Sequence, residues 1–206
     1  GVLNRGNTDD GIHVTGDGAT LRDNVVSANG NNGIRLDGSD NSIVTANIIG
    51  LNILGTSKLA NNNDGVSVSS GASNNTIGGI TPADRNFIGG NNDDGIQFAG
   101  TGTGNKAIGN FIGTDFTGTD AGVGNNSSGI ELASNANAVV IGGIATGEAN
   151  LIAYNDDDGI SLNSDALSGN TIRGNSILAN TDLGIDLKAG TEDGFGVTTN
   201  DLGDGD

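Results

Sequence analysis

Carboxylates recur at one fixed position of this sequence, in the pair of residues that precedes each Gly-apolar-x-apolar segment. The seven pairs are Asp9-Asp10, Asn31-Asn32, Asn63-Asp64, Asp93-Asp94, Ser127-Ser128, Asp157-Asp158 and Asp182-Leu183. Carboxylate and amide oxygens are the ligands that Ca²⁺ prefers in proteins. Asp64, Asp93 and Asp94 stand in successive pairs and are the best candidate metal ligands, and the cofactor that they imply is Ca²⁺.

The same pattern has a second interpretation. Aspartate is a good turn former, so the pairs could make an acidic, solvated column of turns with no bound ion. Carboxylates held within about 5 Å of one another repel, or raise one another's pKa, unless a cation lies between them. Neither the EF-hand spacing nor the nine-residue Gly-Gly-x-Gly-x-Asp calcium repeat is present, so a Ca²⁺ site would be irregular. The sequence leaves both interpretations open.

Few other residues could act as acids or bases. His13 is the only histidine and has no evident partner, so we expect it to be an ordinary surface residue. Glu131 has no carboxylate at the equivalent position of either neighbouring repeat. Asp115 and Asp120 share one loop and are the best remaining pair for glycoside hydrolysis, which needs two carboxyl groups close together. No catalytic residue is assigned.

A sevenfold repeat determines where all these side chains lie. The Gly-apolar-x-apolar motif begins at Gly11, Gly33, Gly65, Gly95, Gly129, Gly159 and Gly184, at spacings of 22 to 34 residues. An asparagine stands four residues before every one of these glycines, at Asn7, Asn29, Asn61, Asn91, Asn125, Asn155 and Asn180. A second asparagine register precedes short apolar segments, at Asn24, Asn47, Asn86, Asn110, Asn150 and Asn175. A further apolar cluster precedes that register, so each repeat carries three strand-like segments.

Strands this short cannot bury an apolar face alone, but stacked copies can pair in parallel at about 4.8 Å per coil. The sequence therefore predicts an all-β protein, a right-handed parallel β-helix of about seven coils with three short strands per coil. One interior column should contain Ile34, Val66, Ile96, Ile130 and Ile160. The asparagines should form ladders at the bends, where they tolerate left-handed backbone geometry. Tyr154, which precedes one of them, should serve in a turn.

The longer coils alternate in where they carry extra residues. Coils two and four lengthen at residues 50–60 and 113–124, whereas coils three and five lengthen at 78–85 and 142–149. The super-repeat is therefore two coils, 63 residues from Asn47 to Asn110. Loops of one kind should project from the same side of the stack, which is where solenoids often bind.

Composition excludes several classes of protein. The 206 residues include 38 Gly but no Cys, Met or Trp, and the net charge is −17. Regularly placed apolar residues, 33% of the chain, argue against disorder. The absence of cysteine excludes disulfides and thiolate metal sites. No apolar run approaches 18 residues, so we expect no membrane span, and the acidic balance argues against binding nucleic acid.

The chain resembles secreted bacterial proteins built from parallel β-helix repeats of the pectate-lyase-like superfamily. The resemblance lies in GASNNTIGG (71–79), NFIGTDFTGT (110–119), GNSILANTDLGIDL (174–187) and the closing GVTTNDLGDGD (196–206). It implies a secreted or cell-surface protein in which such repeats act as structural or adhesive modules, or form extracellular fibres. Its better-known relatives are polysaccharide lyases, hydrolases and epimerases. A carbohydrate-active enzyme is therefore the alternative, and its lyases would need a base such as Arg35 or Arg173 beside the calcium-holding carboxylates.

The expected organisation is a repeat domain over residues 1–190, followed by a Gly- and Asp-rich tail or link over 191–206. No signal peptide is visible, so we expect a mature fragment or an excerpt of a longer chain. Val2 and Leu3 have the character of core residues. We therefore expect the first coil to be covered by further coils, another domain, or a copy of the same protein stacked end to end. Polysaccharide is the other partner that the resemblance suggests.

Overall fold

Short parallel strands account for nearly all of the regular structure. The computed structural model describes residues 6–166 and 169–188, and within them nineteen strands of two to four residues occur. In chain order they are β1 (Ile12–Val14), β2 (Thr20–Arg22), β3 (Val25–Val26), β4 (Ile34–Asp37), β5 (Ile43–Thr45), β6 (Ile48–Ile49), β7 (Val66–Ser69), β8 (Thr76–Gly78), β9 (Phe87–Ile88), β10 (Ile96–Ala99), β11 (Lys106–Ile108), β12 (Phe111–Ile112), β13 (Ile130–Ala133), β14 (Val140–Ile141), β15 (Leu151–Ala153), β16 (Ile160–Leu162), β17 (Thr171–Ile172), β18 (Ser176–Leu178) and β19 (Ile185–Leu187). Two short 3₁₀ turns, Pro82–Asp84 and Ala121–Val123, lie in the longer loops.

Every third strand along the chain joins the same sheet. Sheet A has the order β1-β4-β7-β10-β13-β16-β19, sheet B the order β2-β5-β8-β11-β14-β17, and sheet C the order β3-β6-β9-β12-β15-β18. All strand pairings within the three sheets are parallel. The described residues therefore form six complete coils and the first strand of a seventh. This confirms the predicted parallel β-helix with three short strands per coil.

The predicted interior column is present in sheet A. Ile34, Val66, Ile96, Ile130 and Ile160 are successive partners across the coils, and all five are fully buried. Strand alternation puts a second apolar residue of the inner sheet A strands β4, β7, β10 and β13 inside, including the fully buried Phe98. Buried aliphatic residues of sheets B and C complete one continuous core along the stack.

Both asparagine registers form ladders that run along the stack. In the first, each Nδ2 donates to the Oδ1 of the next asparagine at 2.8–3.0 Å, from Asn7 to Asn180. In the second, the same bonds measure 2.9–3.1 Å, from Asn24 to Asn175. The inner members are fully buried, so the ladders satisfy polar groups that would otherwise be unpaired at the corners.

The left-handed backbone conformation lies one residue earlier than the sequence suggested. The ladder asparagines themselves do not have positive φ, whereas many of the residues that precede them do, among them Ala46 at 56° and Gly109 at 68°. Tyr154 has a φ of 61° directly before Asn155, which confirms its predicted turn role. One left-handed residue redirects the chain at the corner, and the asparagine that follows then enters the ladder.

The longer loops pack against one another in the two families that the super-repeat predicted. Loops 78–85 and 142–149 touch, because a Cβ added at Gly147 would lie 1.8 Å from the carbonyl oxygen of Ile80. Gly147 also has a φ of 88°, so this position requires glycine on both counts. Loops 50–60 and 113–124 meet where Phe116 packs over Gly55.

Two of the predictions concern residues outside the described ranges. Val2 and Leu3, with the proposed covering of the first coil, belong to residues 1–5, and the Gly- and Asp-rich tail lies beyond residue 188. The boundary between a repeat domain at 1–190 and a tail at 191–206 also stays a prediction. Among the described residues, no helix is long and apolar enough to cross a membrane.

Candidate cation site

The candidate ligands meet at the corner where the chain leaves sheet C and enters sheet A. Asp64 lies two residues before β7, and Asp94 occupies the same position before β10 in the next coil, with Asp93 beside it. One carboxylate oxygen from each of the three lies within 4.8 Å of the other two. The structure therefore brings together the three residues that the sequence selected, and cation binding by them stays a prediction.

Burial separates the three carboxylates into two inner groups and one outer group. Asp64 is completely buried and Asp94 is 2% exposed, whereas Asp93 is half-buried. Neither oxygen of Asp64 accepts a hydrogen bond of normal geometry. Asp94 accepts one at 2.9 Å from the backbone N–H of Ser128. A buried carboxylate without partners is costly unless it is neutralised, by a proton or by a cation.

The carboxylates raise one another's pKa. Burial, reinforced by the charge of Asp93, raises the pKa of Asp64 from 3.8 to about 7, although the nearby Asp94 amide and Ser67 hydroxyl oppose the shift. Burial also raises the pKa of Asp94 well above its usual value, and the charges of Glu131, Asp64 and Asp93 add to the effect. The pKa of Asp93 is raised by burial and by Glu131.

Glu131 is the member of this acidic group that the sequence did not identify. It lies in β13 on the outer face of sheet A, one coil beyond Asp94, and its charge acts on all three aspartates. Its own oxygens accept hydrogen bonds from the side-chain amides of Gln97 and Asn163, both at 2.9 Å. The outward-facing residues of the sheet A strands do not by themselves indicate this effect of Glu131, because the aspartates that it acts on lie in the adjoining turns.

A second acidic cluster occupies the equivalent corner of later coils. Asp157, Asp158 and Asp182 also place one oxygen each within 4.8 Å of the others. Here Lys188 extends its Nζ to 3.5 Å from Asp158 and 3.7 Å from Asp186. Burial still raises the pKa of Asp158 to about 6, but the lysine charge opposes that shift. The ammonium group of Lys188 therefore supplies a positive charge at this cluster.

His13 has a partner that the sequence did not reveal. Its Nε2 lies 3.2 Å from a carboxylate oxygen of Asp37 in the next coil, and Arg35 approaches the same oxygen at 3.4 Å. His13 is exposed, as expected of a surface residue, and only its contact with Asp37 was not indicated by the sequence. Arg35, one of the two candidate bases, therefore pairs with Asp37 and forms no ion pair with an aspartate of the acidic cluster.

Asp115 and Asp120, the pair considered for hydrolysis, are used to hold their own loop. Asp115 accepts hydrogen bonds from the amides of Thr117 and Thr119 and from the Thr117 hydroxyl. Burial would raise the pKa of Asp115, but these bonds together lower it. Asp120 caps the following 3₁₀ turn by accepting from the amide of Gly122 at 2.8 Å. Both carboxylates therefore stabilise the loop at 113–124.

The raised pKa of Asp64 predicts that, without divalent cations, the protein loses stability as the pH rises. The folded state keeps the proton of Asp64 up to a pKa of about 7, whereas the unfolded chain releases it near 3.8. Between these values the folded state binds more protons, so the free energy of unfolding falls with increasing pH, by at most about 4 kcal/mol for this group. Urea unfolding in chelator between about pH 4 and pH 8 measures the slope.

Asp64→Asn should reduce that slope, because an amide does not titrate in this range, while the raised pKa values of Asp93 and Asp94 keep part of the slope in place. Asp156→Asn makes the same charge change at an exposed position of a later coil and should leave the slope as in the native protein. Equal slopes in all three proteins would contradict the assignment of the pH dependence to Asp64.

Comparisons of the chain with protein-family models, curated proteins and solved structures found no match. The fold class therefore rests on the three stacked sheets themselves.

Proposed function

We propose that this chain is a structural and adhesive β-solenoid module of an exported bacterial surface protein or extracellular fibre. The observation that carries the proposal is the pair of asparagine ladders that continue through all the described coils. Together with the continuous core, they make a rod in which every coil is fixed to its neighbours. Such an array can extend or shorten by whole coils without a change of fold, which suits a spacer or a scaffold.

The lateral loops supply the adhesive surface in this proposal. Loop-tip aliphatic side chains are strongly exposed, with Ile53 at 70% and Ile144 at 81%, and Leu54 and Ile80 are also exposed. The loops of one family project together, so these side chains are presented as groups rather than singly. Exposed apolar residues gathered on one surface are typical of contact sites. The resemblance to secreted β-helix repeat proteins supports the extracellular location.

One observation favours the alternative, a carbohydrate-active enzyme of the pectate-lyase-like class. Glu131 and Asp93 lie on or beside the outer face of sheet A, with two further carboxylates buried behind them. Acidic groups with raised pKa values are typical of glycosidase and lyase sites. The structural proposal differs from this alternative in predicting no turnover of polysaccharide.

A test in the bacterium that makes the protein separates the two functions. Antibodies against the β-helix should label intact cells, and a variant lacking residues 47–109 should be exported and still be labelled. Because this deletion removes one two-coil unit, it should shorten the rod by about 10 Å. It should also reduce the adhesion of the cells to the material on which they grow. Scattering measurements on the purified variant report the shortening.

Two outcomes would contradict the proposal. Labelling confined to permeabilised cells would exclude a surface role. Release of unsaturated or reducing sugars from acidic polysaccharides, lost in Glu131→Gln, would establish the enzyme instead. Gln97→Glu on the neighbouring coil is not a suitable control, because it removes the hydrogen bond to Glu131. Asp156→Asn, at an exposed turn position outside the strands of sheet A, serves that purpose.

A further inference from the structure

The corner between coils three and four combines two independent observations. The first is the close approach of three carboxylates, with ligand oxygens within 4.8 Å of one another. The second is that both oxygens of the completely buried Asp64 lack a hydrogen-bond donor of normal geometry. Acidic turn columns on a protein surface explain the first observation but not the second, since a solvated turn would leave Asp64 in contact with water.

The second cluster of three aspartates differs from the first because a lysine side chain lies beside it. There the buried Asp158 receives the Lys188 ammonium group at 3.5 Å. At the first cluster, no lysine, arginine or histidine within the described residues forms an ion pair with Asp64, Asp93 or Asp94. The described part of the chain therefore supplies a positive charge to the later corner and none to the earlier one.

We propose that Asp64, Asp93 and Asp94 bind one Ca²⁺ ion, which links coil three to coil four of the β-helix. Asp64 contributes from one coil and the other two from the next, so the ion bridges strands β7 and β10 at their entry into sheet A. Glu131 adds negative charge from a third coil. The half-buried Asp93 provides the side from which an ion can enter. This site does not depend on the proposed function, because a cation at the corner would stabilise the β-helix whatever the chain contacts.

The chemistry of the site favours Ca²⁺ over other metals. All the candidate ligands are oxygen atoms, whereas Zn²⁺ sites in proteins use histidine and cysteine, and the chain has no cysteine and a distant His13. Mg²⁺ demands near-ideal octahedral geometry and keeps most of its water. Ca²⁺ accepts irregular sets of six to eight oxygens, which three aspartates from two coils and a few waters can provide.

Titration calorimetry with CaCl₂ on the whole chain tests the site directly. We expect one Ca²⁺ per chain and a melting temperature that rises when CaCl₂ replaces chelator. Asp93→Asn should weaken the affinity at least about tenfold, since it removes one charged ligand without placing a new group in the core. Asp158→Asn, in the corner served by Lys188, should bind Ca²⁺ as the native chain does.

Substitution of the buried Asp64 gives a second test, in which the melting temperature is compared with and without Ca²⁺. At slightly alkaline pH in chelator, Asp64→Asn should melt at a higher temperature than the native chain, because it removes an unpaired buried charge. In excess CaCl₂ the order should invert, since only the native chain gains from the ion. An inversion would not follow from a purely structural role of Asp64.

Three results would overturn the proposal. One is the absence of both binding heat and a melting shift in millimolar CaCl₂. Another is unchanged affinity in Asp93→Asn, and the third is a loss of binding in Asp158→Asn, which would move the ion to the later corner. Saturation by MgCl₂ with equal affinity would overturn the choice of Ca²⁺. None of these results bears on cell-surface labelling or polysaccharide turnover, so the proposed function stands or fails separately.

Discussion

Ile96→Asp should destabilise the protein by on the order of 5 kcal/mol and leave much of the chain unfolded at room temperature. Ile96 is fully buried in the interior column of sheet A, between Val66 and Ile130. The substitution removes a large apolar side chain and places a carboxylate where no donor or cation can reach it, and both changes are costly. Urea unfolding followed by circular dichroism measures the loss.

Ile185→Asp is the matched control, because it makes the same substitution in the same column. Ile185 lies in β19 at the end of the described stack and is 43% exposed, so its carboxylate can remain hydrated. We expect a loss of about 1 kcal/mol there. Equal losses at the two positions would mean that the column is not continuous, and the coil register would have to be revised.

Asn110→Ala should have the second largest effect, a loss of roughly 3–5 kcal/mol. Its Nδ2 donates to the carbonyl oxygen of Ile77 at 2.9 Å and to the Oδ1 of Asn150 at 3.0 Å. Its Oδ1 accepts from the Nδ2 of Asn86 at 2.9 Å. Alanine removes all three bonds at a buried corner, so the Asn150 Oδ1 keeps only the backbone N–H of residue 110 and the Asn86 Nδ2 keeps only the carbonyl oxygen of Val44.

Asn24→Ala provides the comparison at the first rung of the same ladder. Asn24 is only half-buried, and water can replace its side chain, so we expect a loss below about 1 kcal/mol. Thermal unfolding of both variants beside the native protein measures the difference. If Asn110→Ala were as mild as Asn24→Ala, the ladder would contribute little to the stability of the β-helix.

The fold could be predicted from the sequence because every coil must place an apolar residue at the same interior position of the stack. Ile96 faces its equivalents above and below, so its position is constrained in each coil in the same way, and a fixed spacing from Asn91 reports that constraint. The corner aspartates follow from the same register. Asp64, Asp93 and Asp94 were predictable as a cluster because adjacent coils must place equivalent turns about 5 Å apart.

Contacts between different registers could not be predicted in this way. Glu131 acts on Asp94 across a strand and a turn, and His13 reaches Asp37 diagonally between two coils. Both contacts depend on side-chain length and rotamer, which a repeat pattern does not encode. Lys188 belongs to the residues after the last motif, so no equivalent position in another coil indicated that it would turn back to Asp158.

The asparagine ladders give the rod a direction. In the bonds between asparagines, each Nδ2 donates to the Oδ1 of the asparagine in the coil that follows, and each Oδ1 accepts from the coil before. A coil turned end for end would place two acceptors or two donors against each other at both corners. New coils can therefore be added in one orientation only. Tandem duplication of a two-coil segment preserves that orientation automatically, since the copy runs in the same sense along the chain, which gives this architecture a simple route to growth by unequal recombination.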